Sequence, residues 1–269
     1  MDRQVTADEF EDVLVRMCAP TLLGAKPANM FTFTGCYADA VPQLRACDGQ
    51  GIARGVCPGE QGAACKTSEA GSASGSLDAR SSHDSCACAP CPCSASQHHR
   101  EELQAIVQRF DQELRPFDMR VQVIAWRAFG AIVLVYRPQQ LGAYLGDSRI
   151  AAALERWDYP VENGLLEDLL AHLMQRFAQE KLPHEIGFFL GYPYEDVAGF
   201  VRHRGRNFRY SGCWKVYGDP RPAVKRFARY RRCTRRCAYL RRAGAAARDI
   251  VACHQRFHAE QACRRAAAS

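Results

Sequence analysis

Ala131-Ile132-Val133-Leu134-Val135-Tyr136 is an almost continuous apolar run between Gly130 and Arg137. A strand turns alternate side chains to opposite faces, so such a run needs apolar cover on both sides. It therefore predicts a central strand with a layer above and a layer below. Met119–Trp126 is a second β-rich run, and Ala128-Phe129-Gly130 between the two gives a hairpin. Met30–Thr34 is a third, shorter β-prone stretch. Together they constrain the chain to an α+β fold: a small, mostly antiparallel sheet covered by helices.

The covering helices show in the 3.6-residue spacing of apolar side chains. Thr6 and Glu9 form a capping box, and Phe10, Val13, Leu14 and Met17 follow on one face of a helix that Pro20 and Gly24 should end. Leu103, Ile106, Val107, Phe110 and Leu114 mark a helix over 100–117, and Ile150, Ala153, Leu154 and Trp157 another over 148–157. Leu166, Leu169, Leu170, Leu173 and Phe177 give the stripe of a helix over 163–181, with His172 off the stripe as an exposed polar residue. From Pro222 a long basic helix is expected to carry Val224, Phe227, Tyr230, Cys233, Cys237 and Leu240 inward and arginines elsewhere. Cys233 and Cys237, four apart on one face, could bind a metal or form a redox pair, but read first as small buried hydrophobes. The stretch after Gly244 is Ala/Arg-rich, helical or frayed.

The densest block is His184–Asp219. It reads as a short helix, a Gly191-Tyr192-Pro193 turn, a second helix over 194–203, and an aromatic hairpin broken at Ser211-Gly212. Its motifs are HEIGFFLGYP, EDV and GF, then a glycine pair leading into WKVYGD, then ARYRRCT at 228–234. With CAPTLLGAKPANMF at 18–31 and the YRP of 136–138, this pattern resembles the bacterial family known as domain of unknown function 3793. The resemblance covers about 8–35 and 100–240 and implies no established activity. It leaves 36–97 as an insertion and the stretch after Gly244 as an extension. The expected organisation is one domain from 1–35 and 98–243, a disordered Cys/Gly/Ser-rich insertion at 36–97, and a tail at 244–269.

The insertion holds one sharp feature, Cys86-Ala-Cys88-Ala-Pro-Cys91-Pro-Cys93. Thiolates at this spacing can close small chelate rings on Zn²⁺ or Cu⁺, although the second distant pair of a zinc finger is missing. Most of the 14 cysteines are expected as reduced thiols or metal ligands. No apolar run is long enough to span a membrane and the N-terminal residues lack a secretory core, so a cytoplasmic protein is expected.

Charge divides the chain. From Arg202 onward 19 Lys+Arg face 3 Asp+Glu, while the preceding residues hold 17 against 26. A basic third of this kind either engages nucleic acid or another polyanion, or docks on the protein's own acidic body. Within the block, His184 beside Glu185 could act as acid and base, or simply lie at the rim of the core. Lys215, with Arg206, Asn207, Trp214 and Tyr217, could meet a small anionic ligand. Lys26 reads as a solvated loop lysine or an anion contact. No phosphate loop, dinucleotide fingerprint or nucleophile elbow is present, which leaves an enzymatic role open but unsupported. The reading that follows is a pocket for a small anionic or metal ligand near this block. The alternative is a helix-turn-helix-like nucleic-acid binder or adaptor that uses the basic third.

Overall fold

The computed structural model describes residues 5–35, 92–127, 130–162, 164–180 and 182–266. In chain order these form α1 (Ala7–Leu22), β1 (Ala28–Thr34), α2 (Pro92–Leu114), a short 3₁₀ turn, β2 (Arg120–Arg127) and β3 (Gly130–Tyr136). Then come α3 (Pro138–Leu145), α4 (Ser148–Glu155), α5 (Leu166–Gln179), α6 (Ile186–Phe189) and α7 (Tyr194–His203). A two-residue-per-strand hairpin, β4 (Tyr210–Ser211) and β5 (Lys215–Val216), leads into α8 (Pro220–Arg242) and α9 (Ala247–Ala266).

The main sheet has the order β1-β3-β2, antiparallel throughout, with Phe31 opposite Val133 and Val121 opposite Val135. The apolar run thus forms the central strand, and every residue of β3 is buried. Ala131, Val133 and Val135 join Phe31, Phe33, Val121 and Val123 on one face, under Phe10 and Leu14 of α1 and Leu103 and Phe110 of α2. Ile132, Leu134 and Tyr136 join Ala28 and Ile124 on the other, against Leu141 of α3, Leu154 of α4, and Leu170 and Phe177 of α5. A register shift between Val123 and Ala125 breaks the alternation of β2, so that Ile124 and Ala125 both turn to the second layer. The fold is α+β, as the sequence predicts.

Several boundaries differ from the sequence reading, each for a local reason. Thr6 caps α1, accepting from Glu9 N at 3.3 Å, but Pro20 lies inside the helix rather than ending it. A proline in the last turn removes only one backbone bond, and Arg137 donates to the carbonyls of Thr21 and Leu22 at the helix end. α2 starts at Pro92, so the last residues of the segment assigned to the insertion are helical. α3 escapes the sequence reading: it is short, starts on Pro138, and rests on just Leu141 and Leu145. His172 is half-buried, with Nε2 3.0 Å from Trp157 O. The basic helix starts at Pro220, capped by Asp219, which accepts from Arg221 N at 3.0 Å. After Gly244 the chain is core rather than frayed, because Ala247, Ile250 and Val251 pack beside Cys233 and Cys237 in the first layer.

A third, smaller cluster holds Trp214, Val216, Ala223, Phe227 and Tyr230, where the hairpin lies on the start of α8. Ala25 and Tyr192 pack against it from two distant parts of the chain.

Candidate functional site

Three sequence segments far apart in the chain meet at this third cluster. Arg137 is buried and donates from Nε to Thr21 O at 2.8 Å, from Nη2 to Leu22 O at 2.9 Å and from Nη1 to Phe117 O at 3.0 Å. Its backbone N–H donates to Pro27 O at 2.9 Å. One guanidinium therefore closes the end of α1 and fixes the loop that follows. Gly191 then brings the second segment in. Its φ is +69°, and a Cβ there would lie 2.4 Å from Pro27 Cγ, so only glycine permits this approach. The outcome is that Lys26 Nζ lies 4.9 Å from the Tyr192 ring centre and 6.0 Å from that of Tyr230.

Asp196 fixes the third segment. It is buried in the first turn of α7 and accepts from Trp214 Nε1 at 2.7 Å, Tyr217 N at 2.8 Å and Gly218 N at 3.1 Å. These bonds clamp the hairpin to α7 and hold the Trp214 ring against Tyr192, with centroids 4.8 Å apart, and edge-on to Phe227 at 4.4 Å.

Between α6, α7 and the hairpin lies a cavity of about 270 Å³. Pro183, Ile186, Tyr192, Val197, Phe200 and Trp214 make its walls, and His184, Asp196, Cys213 and Lys215 bring its polar atoms. Lys215 Nζ donates to Gly205 O at 2.7 Å and lies 5.1 Å from the Phe208 ring centre and 5.8 Å from that of Phe200. Among the described residues no carboxylate pairs with it. Asp196, the acid of the cavity, spends both oxygens on the hairpin. His184 is exposed, and its ring stands edge-on to Phe200 at 5.2 Å.

The candidates read from sequence therefore separate. His184, Trp214 and Lys215 share the cavity. Glu185 turns the other way: it is 1 % exposed and accepts from Arg176 Nε at 2.8 Å and Tyr159 Oη at 3.3 Å. His184 and Glu185 are neighbours in sequence that face different layers, so they form no acid–base pair. Arg206 and Asn207 lie exposed on the turn after α7, away from the cavity lining. Tyr217 packs on Gly199, where a Cβ would meet its Cγ at 2.4 Å, and stacks on His203 with centroids 5.7 Å apart.

Lys26 is the residue that sequence reasoning misplaced. It is 5 % exposed, not solvated, and burial pushes its ammonium down to about 8. Nothing local in Gly24-Ala25-Lys26-Pro27 signals this, since the cover comes from Tyr192 and Tyr230. The nearby Cys18 thiol is pushed up by its own complete burial.

Metal ligation has a different standing. Cys86, Cys88 and Cys91 lie outside the described residues, and the backbone of Cys93 belongs to the first turn of α2. Among the described residues no group of three or more His, Cys, Asp or Glu could hold a metal ion. No helix among them is long and apolar enough to cross a membrane.

The basic helix divides its charges. Arg241 reaches α1, with Nη1 2.9 Å from Glu11 Oε2 and Nε donating to Asp12 Oδ1 at 2.6 Å. Glu11 Oε1 also accepts from Ala247 N at 2.7 Å, so this one carboxylate joins α1, α8 and α9. Arg229, Arg232 and Arg236, spaced along the middle of the helix, are exposed. Docking on the acidic body thus falls to the last turn of the helix.

The architecture is that of a three-stranded α+β protein in which a lysine-bearing aromatic cavity is closed by a hairpin. The chain belongs to the family described as protein of unknown function (DUF3793), whose model matches residues 14–251. The match runs past Gly244 into α9, in keeping with the packing of Ile250 and Val251. No curated protein and no solved structure matches the chain.

Proposed function

We propose that the cavity binds a small organic anion with an apolar body. The observation that carries this reading is Lys215, an ammonium with no carboxylate partner among the described residues, on the wall of a mostly apolar cavity. An ammonium has three donors, and Gly205 O takes one. A ligand carboxylate or similar anion would occupy the others, while Trp214, Phe200 and Val197 cover its hydrocarbon part. The exposed His184 at the rim adds a further polar contact. A volume of about 270 Å³ suits a small molecule. The reading favours an anion over a metal at this place, because the donor set there is one lysine, one histidine, one thiol and an acid already engaged. The test is to purify the protein from a bacterial host, release its bound small molecules and identify them by mass spectrometry. An organic acid retained by the natural chain and depleted in Lys215→Gln is expected; equal content in both would overturn the reading.

The setting that suits this reading is the bacterial cytoplasm. The described free cysteines, Cys18, Cys213, Cys233, Cys237 and Cys253, form no disulfide, as a reducing compartment favours.

A second reading has its own support in the exposed arginines of α8, which offer a row of cations to a polyanion. Its helix-turn-helix form has less behind it. α6 has only 4 residues, and in α7 Asp196 is committed to the hairpin while Glu195 pairs with Arg149 at 2.8 Å. Retention on a nucleic-acid column that falls with salt and with Arg229, Arg232 and Arg236 changed to Gln would support it.

A further inference from the structure

The described residues bury six carboxylate or cationic side chains: Glu11, Lys26, Asp111, Arg137, Glu185 and Asp196. Five are answered by bonds of matching polarity. Glu11 has Arg241 and Ala247 N, Glu185 has Arg176 and Tyr159, and Asp196 has Trp214 with two backbone amides. Asp111 accepts from Arg115, Arg120 and Val121 N, and Arg137 donates to three carbonyls. Lys26 alone has neither a hydrogen bond nor an ion pair among the described residues; it has the rings of Tyr192 and Tyr230.

An unanswered ammonium in such a place is costly, and the cost falls when the group gives up its proton. Arginine could not do so. The chain holds 31 arginines and 5 lysines, so its cations are overwhelmingly of the kind that stays charged. At this buried position it holds the kind that can become a neutral amine.

We propose that Lys26 is a reactive amine that condenses with a small aldehyde to form an imine. The lone pair of Nζ attacks the carbonyl carbon, and the carbonyl π pair moves to oxygen, which takes up a proton. The nitrogen gives up one proton as this carbinolamine forms and its second as the hydroxyl leaves as water, forming C=N. Amine and aldehyde thus yield imine and water, with no change of oxidation state. The geometry suits the step. Nζ has no hydrogen bond and yet is not among the sealed side-chain atoms that lack a partner, which are Glu102 Oε2 and Tyr217 Oη, so it keeps some contact with solvent. The lowered proton affinity, to about 8, supports the same assignment. The groups that bear on Nζ are Cys18 from α1, Cys213 from the hairpin, Tyr192 from the turn before α7 and Tyr230 from α8. None of them is a carboxylate that would hold the proton in place. This inference does not rest on the Lys215 cavity.

The experiment treats the full chain with benzaldehyde and cyanoborohydride at pH 7 and maps the alkylated lysines by peptide mass spectrometry. Free amine is more abundant at Lys26 than at an ordinary lysine, and lower nucleophilicity offsets part of that gain. A net advantage on the order of tenfold over exposed Lys225 is expected. Labelling at Lys26 should bend near pH 8, vanish from the Lys26→Met map and lose its advantage in urea. Lys215→Gln should leave it unchanged, which separates this inference from the anion-site reading. Labelling of Lys26 no faster than Lys225, or a pH profile that bends near 10.5 as for an ordinary lysine, would overturn the proposal and leave Lys26 as a cation held by two rings.

Discussion

The indole Nε1 of Trp214 donates to Asp196 Oδ2 at 2.7 Å, and through this bond α7 decides where the wall of the cavity stands. The same carboxylate holds the backbone N–H groups of Tyr217 and Gly218. Asp196→Ala leaves three donors unanswered in a mostly buried place, so it should destabilise the fold by about 3 kcal/mol or more. Asp196→Asn keeps an acceptor for the two amides but turns an N–H₂ toward the indole, and should fall between the two. Urea unfolding followed by tryptophan fluorescence checks this order. An Asp196→Ala protein as stable as the natural chain would show that the clamp is dispensable.

Lys26 makes stability depend on pH in a definite direction. Its folded pKa is lowered to about 8 from 10.5, so between those values the unfolded chain binds more protons. Stability from this group therefore rises as pH climbs from about 8 to 10.5. Tyr192, pushed up to about 12 by burial, and the Cys18 thiol, also pushed up, act in the opposite sense at alkaline pH. They are common to the natural chain and Lys26→Met, so the difference between the two isolates the lysine. Lys26→Met should be the more stable protein at pH 7, and its lead should shrink by about 3 kcal/mol at most by pH 10.5. Urea titrations across that range measure it; a lead that stays constant contradicts a buried, unpaired amine.

The basic helix should respond unequally to loss of charge. Arg241 bridges Glu11 and Asp12 at the seam of α1, α8 and α9, so Arg241→Gln should cost about 1–2 kcal/mol. Arg229, Arg232 and Arg236 are exposed, so changing all three to Gln should alter stability by no more than about 0.5 kcal/mol. Thermal unfolding of the two variants side by side gives the answer. A triple variant as damaged as Arg241→Gln would mean that the middle of the helix also docks.

Much of this architecture was legible because its signals are local. The run Ala131–Tyr136 could be buried on both faces only as a central strand, and the order β1-β3-β2 places it there. The stripe from Leu166 to Phe177 marked α5 for the same reason: period and face are properties of neighbouring residues. The site was half legible. Trp214 and Lys215 stood out in an aromatic hairpin, and His184 in a short helix start. What the sequence could not convey was which of them share a space. Glu185 leaves its neighbour because Arg176 and Tyr159 wait on the other side. Lys26 is buried because Gly191 lets Tyr192 close over it, and both facts depend on contacts between segments far apart in the chain. α9 was missed as core because Ala247, Ile250 and Val251 are few among arginines and alanines, and their burial is settled by where α1 and α8 already lie.

The most direct test of the anion-site account follows the indole N–H of Trp214 by nuclear magnetic resonance, assigned with a Trp214→Phe variant. The full chain is titrated with short aryl and alkyl carboxylates and, in parallel, with their neutral amides. At least one carboxylate should move the Trp214 signal saturably, with the matching amide about tenfold weaker or worse, a difference of about 1.4 kcal/mol. Lys215→Gln should abolish that preference while leaving the signal in place. Acid and amide binding alike, or a preference that survives Lys215→Gln, would contradict the assignment of the cavity to an anion held by Lys215.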